Sequence, residues 1–279
     1  MLRRAAARFL RHRLAVAGAV FLLGVTLVAV LASVIAPHSP YDVDVTAFRS
    51  PPSSAHLLGS DLIGRDVLSR LLYASRVSLS IGILASTIAV TIGTTLGAIA
   101  GFYRGPLDAV LMRLTDMVLA FPPLVIVLVV VSLVGPSIGS VIVVLGGLTW
   151  PTSCRIVRAT YLSLREQEFT LAARVVGARD RAIIVRHLLP NALGPVLVAA
   201  SLGAAGAILS EAALSFIGLG VQPPTPSWGN MLVDAQSLTI LRTMPWIWVP
   251  PGLAILLTVL AINFVGDGIR DALDPRSWL

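Results

Sequence analysis

The chain has 279 residues, of which 56% are hydrophobic and only 13% charged, with a formal net charge of +7. A soluble domain carries roughly 25% charged residues and 45–50% apolar ones, so one water-soluble core cannot absorb this surplus and the expected solvent is lipid. Every one of the 21 basic residues is arginine, placed between apolar runs rather than on one face with stacking aromatics, which excludes nucleic-acid binding; without a lysine there is no P-loop either.

Six apolar runs follow in chain order, at about 14–36, 77–101, 118–134, 138–150 with its continuation, 194–217 and 248–265. Each is read as a membrane-spanning helix, a span needing about 20 residues. The expected fold class is therefore all-α, a polytopic membrane protein with six transmembrane helices. The first run follows Arg3, Arg4, Arg8, Arg11 and Arg13 and exceeds the 7–15 residues of a signal-peptide core, so it is read as a retained anchor. With six spans, sixteen of the 21 arginines fall on the side of the N-terminus. By the positive-inside rule both termini are expected in the cytoplasm, in a cytoplasmic (inner) cell membrane.

Within the second run, Gly93, Gly97 and Gly101 repeat every fourth residue, and the fifth holds Gly203-Ala204-Ala205-Gly206-Ala207; both predict close helix packing. Gly135-Pro136-Ser137 reads as a tight turn between the third and fourth spans. Its overlap with a G-x-S-x-G pattern lacks the strand, histidine and acid of a hydrolase. Arg113 and Asp116, three apart, predict a local ion pair. Trp246 and Trp248 beside prolines read as interfacial anchors, and the proline-rich stretches 37–52 and 223–226 as stiff external loops. Glu211 lies inside the fifth run, where an ionisable group faces protein or water; a pathway role and a helix-locking role stand equal there. The single cysteine, Cys154, excludes an internal disulfide. His12, His38, His56 and His187 are scattered without ligand spacing, so no metal site is expected.

The longest polar loop, about 155–194, carries Leu162, Phe169, Ala172, Ala173 and Val176 at helical spacing. Gly177 predicts a turn, and a second short helix over about 179–188 is expected to stop near Pro190. Two such helices suit docking into a partner's groove, or equally lying on the bilayer.

The run Leu171-Ala172-Ala173, with Gly177 and then Leu189-Pro190, resembles the coupling loop of ABC-importer permeases. That family usually has glutamate where Leu171 stands; Glu168, three residues earlier, is the candidate replacement. His56-Leu57-Leu58-Gly59-Ser60-Asp61 with Gly64-Arg65-Asp66 and Ser69-Arg70 resembles the dipeptide and oligopeptide permeases. So do Asp116 with Leu119-Ala120-Phe121-Pro122, residues 211–220, residues 223–229, and Gly266-Asp267-Gly268 through Leu273-Asp274-Pro275-Arg276. The subtype is that of the C subunit of a heterodimeric pair.

The resemblance implies a type I ABC importer permease, with a tail, first helix and external loop over 1–75, a permease core over 76–267 and a cytoplasmic tail over 268–279. It implies a homologous permease partner, two ATPase subunits holding ATP and Mg, and an external substrate-binding protein, with no cofactor and no catalytic residue in this chain. Glu168, Leu171, Ala172, Ala173, Gly177, Asp180, Leu189 and Pro190 are the expected ATPase-coupling residues. Asp61, Gly64, Arg65, Asp66 and Arg70 are candidates for contact with the binding protein or the partner permease, an amphipathic return to the membrane being the equal alternative. Members of the family carry dipeptides, oligopeptides, glutathione, nickel complexes or opine-like compounds. A secondary transporter or a membrane scaffold remains the reading from a different class.

Overall fold

The computed structural model describes residues 2–273 and is helical, with one isolated antiparallel bridge between Ser60 and Asp66. Helix α1 (Leu2–Phe9) leads into α2 (Arg13–Ile35), and α3 (Val67–Tyr103) follows a long loop. Next come α4 (Gly105–Leu119), α5 (Pro123–Val134), α6 (Ile138–Leu164) and the short α7 (Glu168–Val175). Asp180–Phe216 forms one long helix, α8, with a π-helical stretch at Ile183–Leu188. A 3-10 turn at Asn230–Gln236, α9 (Leu238–Thr243) and α10 (Pro245–Leu273) complete it. The expected tail residues Asp274, Pro275 and Arg276 lie outside the described residues.

Helices α2, α3, α6, α8 and α10 are each long and apolar enough to cross a membrane, and α4 with α5 makes a sixth if that bent pair is one span. The pair departs from the single helix expected over 118–134: its halves meet at 81°. Pro122 and Pro123 remove two backbone donors, and a residue before proline is pushed out of the α region, so the chain turns there. Helix α3 likewise begins at Val67 instead of at 77. Apolar counting stops at charges, but these charges have partners. Asp66 caps the helix, accepting from the Ser69 N–H at 2.7 Å, and Arg76 donates to the Ala29 and Val30 carbonyls at the end of α2. At 37 residues α3 is about 55 Å long, more than the hydrocarbon core of about 30 Å.

The glycine repeat of α3 lies against α6. A Cβ at Gly93 would sit 2.7 Å from the Trp150 carbonyl oxygen, one at Gly97 2.5 Å from that of Cys154, and one at Gly101 2.7 Å from that of Arg158. Both helices advance by four residues per contact, so they pack side by side, parallel and in register. The stripe on α8 is used less fully. Gly203 abuts Ser86, whose hydroxyl donates to the Ala200 carbonyl at 2.7 Å, whereas Gly206 has open space beside it. Against α10, Gly18 of α2 approaches the Ala261 carbonyl closely.

Two polar ends result. The end bearing α1 and the close of α10, called the terminal end, gathers the α3–α4 junction, α7 and the start of α8; there Arg158 grips Asp108 with two nitrogens at 2.6 and 2.7 Å. Asp116 pairs with Arg155 of α6 at 2.6 Å, correcting the expected local pair with Arg113: the neighbouring helix presents a better-placed guanidinium. The opposite end is built from residues 36–66 and 217–244. Trp246 donates there to the Ser60 carbonyl at 3.3 Å, and Trp248 to that of Leu241 at 3.2 Å, so both indoles bond within the protein.

Candidate functional site

At the terminal end, α7 is a short helix two turns long. Its buried residues are Thr170 and Ala173: Ala173 packs in a cluster with Phe102, Tyr161, Ile183 and Leu188, and Thr170 Oγ donates to the Leu164 carbonyl at 2.9 Å. Of the two alanines in that spacing pattern, Ala172 is exposed and Ala173 is buried. Ala172 and Val176 face outward and Phe169 is only partly covered, because the helix is rotated to bury the Thr170–Ala173 pair. Leu171 is 49% exposed, Val175 87% and Val176 83%. Gly177 supplies the turn with φ +79°, a region closed to most side chains. Glu168 lies in the first turn of α7, exposed on the outward side with Leu171, and Asp180 in the first turn of α8.

The expected stop at Pro190 does not occur. Helix α8 runs through Leu189 and Pro190 to Phe216, the wide turns of Ile183–Leu188 absorbing the donor that proline lacks. Side-chain ties surround the short helix α7. Arg165 donates to the Phe102 carbonyl, Arg104 pairs with Glu166 at 2.6 Å, Arg174 lies 5.4 Å over the Phe102 ring, and Tyr161 donates to the Ile184 carbonyl at 3.2 Å. Sequence reasoning missed these ties because the partners stand 23 to 72 residues apart with no motif joining them. These ties hold the α6–α7 connection against the end of α3, and α6 against α8.

At the opposite end, Asp61 accepts from the backbone of Ile63 and Arg65 at 3.1 and 2.9 Å and from Arg65 Nε at 2.6 Å; Arg70 stands 3.7 Å away. Gly64 has φ +88°, and a Cβ there would strike the Asp44 carbonyl at 2.2 Å. Asp66 and Arg70 are buried within the chain, Arg70 reaching the Pro40 carbonyl at 3.3 Å. Arg65 is half-buried and, with Asp61, Arg70, Asn230 and Asp234, lines a cavity of about 200 Å³. Burial, reinforced by the charge of Asp61, raises the Asp234 carboxyl above the usual carboxylate range.

Glu211 sits between the two ends, completely buried, and is a hub of hydroxyls. Ser215 and Ser227 donate to Oε1 at 2.6 and 2.7 Å, and Ser78 stands 3.5 Å from Oε2. Each serine oxygen also accepts a backbone N–H from the loop after α8: Val221 on Ser215, Asn230 on Ser227 and Trp228 on Ser78, at 3.1, 3.0 and 3.1 Å. The carboxylate thereby pins that loop against α3, a locking geometry. Trp228, buried beneath it and donating to the Leu71 carbonyl at 3.4 Å, is the anchor sequence reasoning did not single out.

Comparison with known proteins agrees with this architecture. Residues 93–278 match the model of the binding-protein-dependent transport system inner membrane component, and residues 1–52 that of the N-terminal membrane domain of oligopeptide transport permease C. A Brucella ovis protein named as a peptide permease is 43% identical over 99% of this chain and 91% of its own length. The dipeptide transport system permease protein DppC of Alkalihalophilus pseudofirmus is 39% identical over 95% and 87%. The glutathione transport system permease protein GsiD of Pectobacterium atrosepticum is 41% identical over 96% and 89%. Among solved structures, the inward-facing MetNI methionine ABC transporter superposes with TM-score 0.61 at 19% identity, covering 74% of this chain and 96% of that one. The chain shares that fold and belongs to the binding-protein-dependent ABC-importer permeases, with the N-terminal segment of the oligopeptide permease C type.

Proposed function

We propose that this chain is one of two homologous permease subunits that together form a translocation pathway for dipeptides or oligopeptides across the cytoplasmic membrane, powered by separate ATPase subunits. The observation that carries the reading is the lever: a short helix presenting Leu171, Val175 and Val176 outward while arginine ties lock its base to the end of α3. An apolar tip of that kind suits a groove on a soluble partner. In this reading the terminal end is cytoplasmic, as the arginine distribution favours, and the ATPases dock at α7. ATP binding and closure of the ATPase pair push α7; α3, α6 and α8 follow as one body, and the pathway opens to the other side. The opposite end, with Asp61 and Arg65 at its cavity, receives substrate from an external binding protein. Peptide is the substrate class because the relatives named above include peptide, dipeptide and glutathione permeases, and glutathione is itself a small peptide.

Gly177→Pro tests the lever, since proline fixes φ near −65° where the chain needs +79°. Co-purification from gently solubilised membranes is expected to recover a second permease and ATPase subunits with wild type, and the second permease alone with the variant. Recovery of ATPases with both would place docking elsewhere, and recovery with neither would overturn the ATPase-powered reading.

A further inference from the structure

The histidines that look scattered along the chain are not scattered in space. His38 follows the end of α2, His56 lies in the loop, and their ring centroids are 5.0 Å apart. Asp66, the cap of α3, completes the group: one donor atom from each of His38, His56 and Asp66 lies within 4.8 Å of the others. His56 and Asp66 are buried and His38 is exposed, so the cluster has a protein-lined floor and an entry path.

Both rings are oriented as ligating histidines are. Nε2 of His38 faces the Ala55 carbonyl at 2.9 Å, and Nε2 of His56 faces an Asp44 carboxylate oxygen at 3.5 Å. A carbonyl or carboxylate on the far nitrogen fixes the tautomer and raises the basicity of the other. Nδ1 is thus the open nitrogen of each ring, and that of His56 stands 2.9 Å from Asp66 Oδ1. The site is also positioned from outside: the backbone N–H of His38 donates to Ser69 Oγ at 3.0 Å, and Asp66 Oδ2 is held by the Ser69 N–H. A tetrahedral ion with bonds of about 2.0–2.1 Å needs donors about 3.4 Å apart. The His56–Asp66 pair is already closer than that and the three donors lie within 4.8 Å of one another, so binding requires the side chains to shift.

We propose that His38, His56 and Asp66 bind a divalent transition-metal ion, zinc foremost, with Asp44 orienting His56. Two imidazoles and one carboxylate are a donor set that suits zinc, and the fourth position is left to water. On binding, the ion takes the place of the proton between His56 Nδ1 and Asp66. It would staple the end of α2, the loop and the start of α3 at one point, on the face where the proposed delivery of substrate occurs.

The test uses the full chain, purified in mild detergent through a tag free of histidine, dialysed against chelator and then titrated with zinc chloride alone. Wild type is expected to retain about one zinc per chain and to melt at a higher temperature with zinc. In His38→Ala, which keeps the backbone bond to Ser69, affinity should fall about tenfold or more and the thermal shift vanish; Asp44→Asn should weaken binding by about 10–100-fold. Equal retention by wild type and His38→Ala would mean adventitious zinc only and overturn the site. Cobalt(II) gives a second reading that needs no variant: visible bands of a low-coordinate nitrogen–oxygen site support it, and a spectrum like that of the hydrated ion overturns it.

Discussion

Glu211 shows what a single buried carboxylate does in this bundle. Two serine hydroxyls donate to it within 2.7 Å and a third lies nearby, and all three hold backbone N–H groups of one loop. Removing the acceptor strands the hydroxyls in a dry interior, at a cost of about 1–3 kcal/mol for an unsatisfied buried group. Glu211→Leu is therefore expected to lower the melting temperature of the detergent-solubilised chain clearly. Glu211→Gln, which keeps a carbonyl acceptor, should lower it much less. Equal losses would show that charge, not acceptance, matters here. The sequence marked Glu211 by its place in an apolar run, but could not name its partners: Ser78 and Ser227 are 133 and 16 residues distant, in separate elements. The same blindness applied to His38 and His56, which only the folded loop unites, and to Arg155, which took Asp116 from its sequence neighbour Arg113.

At the scale of the helix, hydrophobic spacing located five long helices well and failed where chemistry other than apolarity decides a boundary. Paired charges let α3 start early, two prolines bent the α4–α5 pair, and a π stretch carried α8 past a proline expected to end it. The glycine repeat was legible, because in lipid small residues are what allow backbones to approach. Its consequence is measurable. At Gly97 even a methyl group would meet the Cys154 carbonyl at 2.5 Å, so Gly97→Ala should destabilise by about 1–3 kcal/mol, the usual range for overpacking. At Gly147 of α6 nothing lies within 4 Å of the added carbon, and Gly147→Ala should be neutral or stabilising by about 0.5–1 kcal/mol. Paired thermal melts of the two variants check this. A similar loss in both would mean that the α3–α6 contact is not the tight one.

For the whole molecule, the Gly177 turn was the most readable part of the candidate site, since it answers to a backbone need visible in one stretch of sequence, whereas Pro190 did not end its helix. Less readable was how the lever attaches, which depends on Arg104, Arg165 and Tyr161 reaching across the bundle. Glu168 and Leu171 both face outward on α7, three residues apart, so a carboxylate at 168 can serve a surface that usually meets one at 171. In the assembled importer, Leu171→Glu is expected to raise transport-coupled ATP hydrolysis markedly only when Glu168 is also replaced by alanine. A gain of the same size with Glu168 intact would mean that Glu168 supplies no such contact.

The π-helical stretch at Ile183–Leu188 has a further meaning for a 37-residue rod. Each wide turn holds one extra residue, and each residue of an α-helix turns the chain by about 100°. The stretch is a phase adjuster: it sets the azimuth of everything downstream, Glu211 included, independently of the azimuth at which the lever end meets α6. One continuous helix can thus present separately chosen faces at its two ends.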